Sequence, residues 1–462
     1  MNKKHSIMFL IVVLSLFLSG CGGGDGDGDG GVASGGWVGT RQWGTDENER
    51  VAGVATAPDG SIYVTGYTRG NLDGNINAGF EDVFLTKFDT SGNRQWTKML
   101  ATPLSDYGYG VAVDSSGHIY VTGSTAGDLE GNINPTPGDG TSFFLAKFDA
   151  SGDVEWTVLL GASIFCEGRS VVVGSGGDIH VIGTSTGDLD GNPSLGTDDA
   201  FIVTYDVSGN KLWSRLLTSD GNDWGRGIAA DPAGNIYVTG ATMGSLDGNI
   251  NSGGIDIFLA KFDASGNKLW TRLLGTSGED YARSVAVDRD GGIYITGDTA
   301  GDGDFGGETR IRRRDAFVVK YDSSGSIQWT RLLGAFYDDK GYSIAAGQEG
   351  NIYVTGMTTV WPSEPHMHGD TGACHGAGED IFLIKFDASG NRLWTAVWGR
   401  LSSDEGLCVA MDESGDIYVA GETTGGLDWN TNAGGTDAFL AKFDTSGTRL
   451  GSVQEDCPYG QP

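Results

Sequence analysis

The sequence predicts an all-β fold, a seven-bladed β-propeller made of four-stranded antiparallel blades. A strand signal of the type Ile-Tyr-Val-Thr-Gly recurs every 57 to 65 residues, with its isoleucine at Ile62, Ile119, Ile179, Ile236, Ile293, Ile352 and Ile417. A near-constant period of this size indicates stacked copies of one supersecondary unit that cannot bury its own faces. No segment of a copy shows a sustained helical period. Closing seven such sheets into a circle would protect their edges.

Each copy reads as four strands. In the fifth copy the apolar runs cover 284–287, 292–296, 316–321 and 327–333, and Asp/Ser/Gly clusters separate the antiparallel pairs. The first run starts with a small residue in most copies, which suits the crowded innermost strand. Phenylalanine recurs in the third run and tryptophan in the fourth, and we expect these rings in the core.

Two segments compete to complete the last blade. Residues 40–44 resemble a fourth strand that precedes the first copy, and residues 448–451 resemble one that follows the last copy, with Gly451 where tryptophan is usual. We favour the N-terminal segment because joining both chain ends in one blade locks a ring. The propeller then covers 37–453, and 454–462 form a C-terminal tail.

The N-terminus carries an export signal. Lys3 and Lys4 precede an apolar run that is too short to span a bilayer, so 1–20 read as a signal peptide. The run ends in Leu-Ser-Gly-Cys, which resembles the bacterial lipobox and implies lipidation of Cys21. Ordinary cleavage with an unmodified cysteine is the alternative. Residues 21–36 are a flexible Gly/Asp-rich tether, so we expect a protein anchored to a bacterial membrane at the cell envelope by lipid alone.

Composition limits the partners. The net charge of −31 disfavours DNA and RNA, because like charges repel phosphates. A small polar ligand or an unidentified protein of the envelope fits better, and we expect a monomer. Beyond Cys21 the chain has four cysteines, which allow three disulfide pairings: Cys166, Cys374, Cys408 and Cys457.

The repeat resembles a known family. The pattern V-A-V-D-x-x-G-N-I-Y-V-T-G, followed by D-A-F-L-A-K-F-D-x-S-G-N-x-L-W, is similar to the bacterial SBBP repeat and more distantly to NHL-type blades. The likeness covers residues 38 to 450. It implies a seven-bladed propeller and an exported location. It implies no reaction, so no catalytic residues follow from it.

A first candidate site lies after the second strand. Oxygen-bearing side chains at alternate positions and a later carboxylate recur in three blades, as Asp73, Asn75, Asn77 and Asp82; Asp247, Asn249, Asn251 and Asp256; and Asp428, Asn430, Asn432 and Asp437. Such a set could wrap a hard cation such as calcium. The alternative is a glycine turn held by Asx hydrogen bonds, with the last aspartate starting the third strand.

A second candidate site precedes the first strand. An acid holds one position in six blades, as Glu49, Asp106, Asp223, Asp280, Asp339 and Asp404, and Cys166 replaces it in the remaining blade. Three residues later the middle blades carry Arg169, Arg226 and Arg283. A collar of acids and arginines at the channel mouth could bind a polar ligand. The acids could equally cap loops or pair with the arginines as structural elements.

A third candidate site lies in an insertion of the sixth blade. His366, His368, Cys374 and His375 are ligand types suited to zinc or copper, although their spacing matches no strong signature. The alternative is a polar loop with a disulfide at Cys374. No Gly-x-Ser-x-Gly or His-Glu-x-x-His motif occurs in the chain.

These features favour a membrane-anchored binding or scaffold module that requires no cofactor. The variable connections share one face, where a partner would bind. The alternative is a metal-dependent envelope hydrolase or lyase with its site at the channel mouth.

Overall fold

The computed structural model describes residues 37, 39–136, 140–309, 313–334, 337–347, 349–360, 378–399 and 402–451. It confirms the predicted fold, since the described residues form seven four-stranded antiparallel sheets. The isoleucine of the repeated signal begins the second strand of every blade, and the aromatic residues of the third strands are buried between neighbouring sheets.

The innermost strand of each blade is eight residues long. In blade order these strands are β2 (Glu49–Thr56), β6 (Asp106–Val113), β10 (Cys166–Val173), β14 (Asp223–Ala230), β18 (Asp280–Val287), β24 (Asp339–Ala346) and β28 (Asp404–Met411). The second strands are β3 (Ile62–Thr68), β7 (Ile119–Thr125), β11 (Ile179–Thr186), β15 (Ile236–Thr242), β19 (Ile293–Thr299), β25 (Ile352–Val360) and β29 (Ile417–Thr423).

The third and fourth strands complete each sheet. The third strands are β4 (Asp82–Phe88), β8 (Ser142–Phe148), β12 (Asp198–Tyr205), β16 (Asp256–Phe262), β22 (Asp315–Tyr321), β26 (Gly378–Phe386) and β30 (Asp437–Phe443). The fourth strands of blades 1 to 6 are β5 (Arg94–Leu100), β9 (Val154–Leu160), β13 (Lys211–Leu217), β17 (Lys268–Leu274), β23 (Ile327–Leu333) and β27 (Arg392–Trp398).

Two connections contain short elements of their own. A single-turn 3-10 helix covers Leu72–Gly74 in blade 1, and a hairpin of β20 (Asp304–Phe305) and β21 (Glu308–Thr309) lies between the second and third strands of blade 5. Among the described residues, no helix has the length and apolar character needed to cross a membrane.

The N-terminal strand closes the ring, as predicted. β1 (Arg41–Trp43) is the fourth strand of blade 7 and pairs antiparallel with β30, with Arg41 opposite Leu440 and Trp43 opposite Ala438. Inner strand β28 also contacts inner strand β2, so each blade meets the next around the whole circle.

The segment after β30 also takes part in blade 7. The main-chain N–H of Leu450 donates to the carbonyl of Lys442 at 2.8 Å, and Arg449 forms an ion pair with Asp428 at 2.8 Å. The main-chain N–H of Thr40 donates to the same Asp428 carboxylate at 2.8 Å. Segments from both ends of the propeller therefore complete the outer edge of blade 7.

Tryptophan packing joins neighbouring blades, and the closing blade obtains its tryptophan from the N-terminus. The fourth-strand Trp213 packs beside Gly266 in the strand 3–4 turn of the next blade and donates to the Ala264 carbonyl at 3.2 Å. Trp37 takes the corresponding place beside Gly92 and contacts Tyr418 at 5.8 Å between ring centroids. The missing tryptophan at Gly451 is thus supplied from the other end of the chain.

Candidate functional site

A β-bulge in each inner strand directs one residue toward a shared cavity. The register between the first and second strands skips one inner-strand residue in every blade. Bulges commonly re-aim a side chain beside a functional site. All seven skipped residues line one cavity of about 400 Å³: Ala52, Tyr109, Arg169, Arg226, Arg283, Tyr342 and Leu407.

The glycine that ends the repeated strand signal makes room for this bulge. In blade 4, Gly240 lies opposite Gly225, beside the bulge residue Arg226. A Cβ atom added to Gly240 would overlap the carbonyl oxygen of Trp224 and crowd the ring of Phe258. The corresponding glycine of every other blade is equally close to an inner-strand carbonyl. The repeat therefore keeps glycine here for a close backbone approach.

Three consecutive blades supply the positive side of the cavity. Arg169 forms an ion pair with Glu167 and stacks 4.1 Å from the ring centroid of Tyr109. Arg283 donates to Asp298 at 2.7 Å. These contacts hold two guanidinium groups in place on either side of Arg226.

The guanidinium group between them, that of Arg226, has no hydrogen-bond partner among the described residues. Within the described part of the chain, Arg226 has neither an ion pair nor a hydrogen bond. Burial, together with the nearby charge of Arg169, lowers the pKa of Arg226 to about 10. The group is still charged at neutral pH, so a half-buried cation faces the cavity without a counter-charge of its own.

The opposite side of the cavity carries acids that the sequence reasoning missed. Glu405 and Glu422 of blade 7 line it together with Arg50 and Tyr67. Arg50 lies 3.3 Å from the Glu422 carboxylate, while burial raises the pKa of Glu422 to about 8. The position directly after the strand-2 glycine could have pointed to this side of the cavity from the sequence. It holds Tyr67, Asp298 and Glu422.

The predicted acidic collar does not face this cavity. Its six acids, Glu49, Asp106, Asp223, Asp280, Asp339 and Asp404, all have 0% exposure and begin their inner strands. The main-chain N–H of Thr102 donates to Asp106 at 2.6 Å, and Thr276 donates in the same way to Asp280 at 2.6 Å. This is the loop-capping alternative, because the carboxylates satisfy donors of the preceding loop. Only the arginines of the second candidate site reach the channel.

The oxygen-rich loops are hydrogen-bonded within their own blades. Asp73 forms an ion pair with Arg94 at 2.6 Å, and the Asn75 amide donates to the carbonyl of Leu72 at 2.9 Å. The distal Asp82 is buried and accepts the N–H of Ala78 at 2.6 Å.

The loops of blades 4 and 7 follow the same scheme. Asp247 accepts the Thr271 hydroxyl at 2.6 Å, and Asp256 accepts the N–H of Ser252 at 2.6 Å. The Asn249 and Asn430 amides donate to main-chain carbonyls three residues earlier, and the oxygens of Asn251 and Asn432 accept loop N–H groups, as does Asp437. These contacts match the Asx-turn alternative.

Metal binding stays a prediction. In the described ranges no three His, Cys, Asp or Glu side chains are grouped so that they could hold a metal ion. Calcium at the loops would have to compete with the hydrogen bonds given above. The lipidation residue Cys21 and the insertion residues His366, His368, Cys374 and His375 lie outside the described residues.

Comparison with known proteins agrees with the repeat architecture. The family SBBP, described as a beta-propeller repeat, matches residues 95–130, 212–247, 269–306 and 328–360. Regulatory protein FlaEY of Caulobacter vibrioides is 33% identical over 40% of this chain and 20% of its own length. An uncharacterized WD repeat-containing protein, L264 of Acanthamoeba polyphaga mimivirus, is 25% identical over 75% of this chain and 32% of its own. The probable autotransporter YcgV of Escherichia coli is 27% identical over 38% and 19%.

The chain therefore spans a third or less of each of these longer relatives, which carry further sequence of their own. The matched segments begin in a fourth strand and run through the first two strands of the following copy. Together with seven four-stranded sheets closed by β1, they assign the architecture. The chain is a seven-bladed β-propeller, and four of its segments match the SBBP beta-propeller repeat.

Proposed function

We propose that this protein is an exported, lipid-anchored binding module whose axial cavity takes a small polar ligand carrying a carboxylate or phosphate group. The observation that carries the proposal is the Arg226 guanidinium, which faces the cavity without a partner between two anchored arginines. A planar guanidinium presents paired donors that match carboxylate and phosphate oxygens. A bound acid group would supply the counter-charge that Arg226 lacks.

The size and lining of the cavity suit a small molecule. A volume of about 400 Å³ falls within the range of ligand pockets. Tyr109 and Tyr342 flank the arginines and offer aromatic faces, and Glu405 and Glu422 lie on the other side, where they could accept hydrogen bonds from ligand hydroxyls. The protein's net charge of −31 repels free anions, so the local arginines must provide the affinity.

The envelope location is supported by the sequence and by one relative. The N-terminal residues have the order of a lipoprotein signal, with Cys21 at the cleavage position. The relative YcgV is described as a probable autotransporter. The propeller would display its cavity outside the cytoplasm, with the glycine-rich segment as a spacer.

The hydrolase or lyase alternative is not favoured. It requires the acidic collar to hold a metal at the channel mouth, whereas those acids are fully buried at the blade junctions. Rigid presentation of the bulge residues is sufficient for binding.

Replacing Arg226 by glutamine is expected to weaken binding of glucuronate or inorganic phosphate at least tenfold, because a charge-assisted pair contributes about 1.5–3 kcal/mol. Titration calorimetry on the purified mature protein measures this. Arg289→Gln is the matched control, because Arg289 is an exposed arginine in a strand 1–2 turn, at the opposite end of blade 5 from the bulge. Equal affinities in both variants, or no binding of either probe to the wild type, would contradict the proposed ligand class.

A further inference from the structure

Buried acids meet in pairs where adjacent blades join. The first residue of an inner strand lies beside an aspartate at the start of the third strand of the preceding blade, as the interactions of Asp106 with Asp82 and of Glu49 with Asp437 show. The same two repeat positions are acidic at six junctions: Asp82 and Asp106, Asp199 and Asp223, Asp256 and Asp280, Asp315 and Asp339, Asp380 and Asp404, and Asp437 and Glu49.

The seventh junction indicates that the two acids act together. Between blades 2 and 3 these positions are Ser142 and Cys166, so both acids are absent at once. Ser142 joins a neutral network there, with Thr136 and Asn134 each at 2.6 Å. If each carboxylate only capped its own loop, there would be no reason for both acids to be absent from the same junction.

At three of these junctions, one oxygen of the third-strand acid has no hydrogen-bond partner among the described residues. Asp82, Asp256 and Asp437 accept a loop N–H on Oδ2, but no hydrogen-bond donor of the described chain reaches their Oδ1 atoms. All three side chains are at most 1% exposed. An orphaned oxygen of a fully buried carboxylate is costly unless the group is protonated.

At the closing junction, the free oxygen and the acid of the next blade lie beside the same glycine. A Cβ atom added to Gly44 would clash both with Oδ1 of Asp437 and with Oε2 of Glu49, so only glycine hydrogens lie beside the two carboxyl groups there. Glu49 is the better satisfied partner, because it accepts from the Thr45 N–H at 2.7 Å and from the Thr68 hydroxyl at 2.6 Å.

Among the described residues, no positive charge balances the acids of these three junctions. The charge of Glu81 raises the pKa of Asp82 further, and Arg69 is already bound to Glu81 at 2.8 Å. The remaining groups at that junction are the hydroxyls of Thr102 and Thr125 and the loop N–H groups. In the described structure no Lys or Arg forms an ion pair with Asp82, Asp106, Asp256, Asp280, Asp437 or Glu49.

We propose that the two carboxyl groups share one proton, which the folded propeller takes from water and holds as an O–H···O bond between blades, at three junctions: Asp82 with Asp106, Asp256 with Asp280, and Asp437 with Glu49. The third-strand acid donates the proton from its free oxygen, and the inner-strand acid accepts it as a carboxylate. Each shared proton replaces a repulsion between blades with a strong hydrogen bond.

The titration behaviour agrees with this arrangement. Burial, opposed by hydrogen bonds from Thr125 and Thr102, raises the pKa of Asp106 to about 6, and the neighbouring Asp82 contributes to the shift. Burial also raises the pKa of Asp82 and of Asp256. The proton belongs to the pair and not to one residue.

The expected pH dependence follows from the direction of these shifts. Because the folded pKa exceeds the unfolded value of about 4, the junctions add stability below about pH 4 and lose it as the pH rises through about 6. Turn aspartates such as Asp206, Asp263 and Asp387 have lowered pKa values and lose their contribution when the pH falls below about 4. The propeller should therefore be most stable near about pH 5.

The test combines a pH series with amide substitutions. We expect the wild type to melt at least roughly 5 °C higher at about pH 5 than at about pH 8. The double variant Asp82→Asn/Asp256→Asn should melt higher than the wild type at about pH 8, because each amide donates the same bond without a proton. Asp46→Asn is the control, since Asp46 is an exposed acid near the closing junction.

Infrared spectra in heavy water provide a signal that would not change between these variants if the acids had only a structural role. A protonated-carboxyl band should be present at neutral pH and weaker in the double variant. Absence of that band, or a double variant that melts lower than the wild type at both pH values, would overturn the proposal. So would calcium raising the wild-type melting temperature at about pH 8 but not that of the variant, because a cation would then replace the proton.

Discussion

Replacing Trp43 by alanine is expected to destabilise the folded propeller by about 3 to 5 kcal/mol. Trp43 is 7% exposed, and its ring lies 5.0 Å from that of Phe88 in blade 1, so it fills the seam between the last blade and the first. Its indole N–H has no partner among the described residues, and the loss is therefore one of packing. Urea unfolding followed by tryptophan fluorescence measures the change.

The Trp398→Ala variant is the control that distinguishes the loss of packing from the loss of ring closure. Trp398 is 6% exposed and contacts Phe443 at 4.9 Å, the same contact one junction earlier, but its strand is continuous with its own blade. Both variants should lose similar packing energy. Only Trp43→Ala should speed amide hydrogen exchange in β1, because this strand is only three residues long. Unchanged stability and exchange in Trp43→Ala would contradict closure by β1.

Replacing Gly240 by alanine is expected to cost about 3 kcal/mol or more. The added methyl group would overlap the carbonyl oxygen of Trp224, and β14 would have to move away from β15. That movement would displace the bulge that positions Arg226, so binding of the anionic probe should fall along with the melting temperature. Thermal unfolding and titration calorimetry on the same sample measure both effects.

Gly176→Ala is the matched control for this substitution. Gly176 is exposed in a strand 1–2 turn, and a Cβ atom there would meet nothing within 4 Å. We expect its stability to change by less than about 0.5 kcal/mol. If Gly240→Ala were equally harmless, the inner-strand bulge would not require the glycine.

The strand order and the blade count could be predicted because they depend on local, repeated patterns. The Ile-Tyr signal lies in each second strand, and the recurring Asp/Ser/Gly clusters occupy the tight turns. The N-terminal closure was also predicted. The role of Trp37 was not, because its place in blade 7 depends on a contact with Tyr418, nearly the whole chain away.

The candidate site was only half predictable, because its geometry depends on how blades meet. The arginines at 169, 226 and 283 were found from their recurrence, and they line the axial cavity. The acids three residues earlier share that recurrence but point into the junctions, since the bulge changes the direction of the strand between the two positions. Pairing between Asp82 and Asp106 requires knowledge of neighbouring blades, which a single repeat does not contain.

A crystal structure of the mature protein, grown with glucuronate, tests the central claim most directly. We expect seven sheets in a closed ring, with residues 41–43 paired to residues 438–440 and the seven bulge residues around one axial cavity. A different number of blades, an open array, or a last blade completed by residues 448–451 alone would contradict the account, because the arginines would then no longer converge.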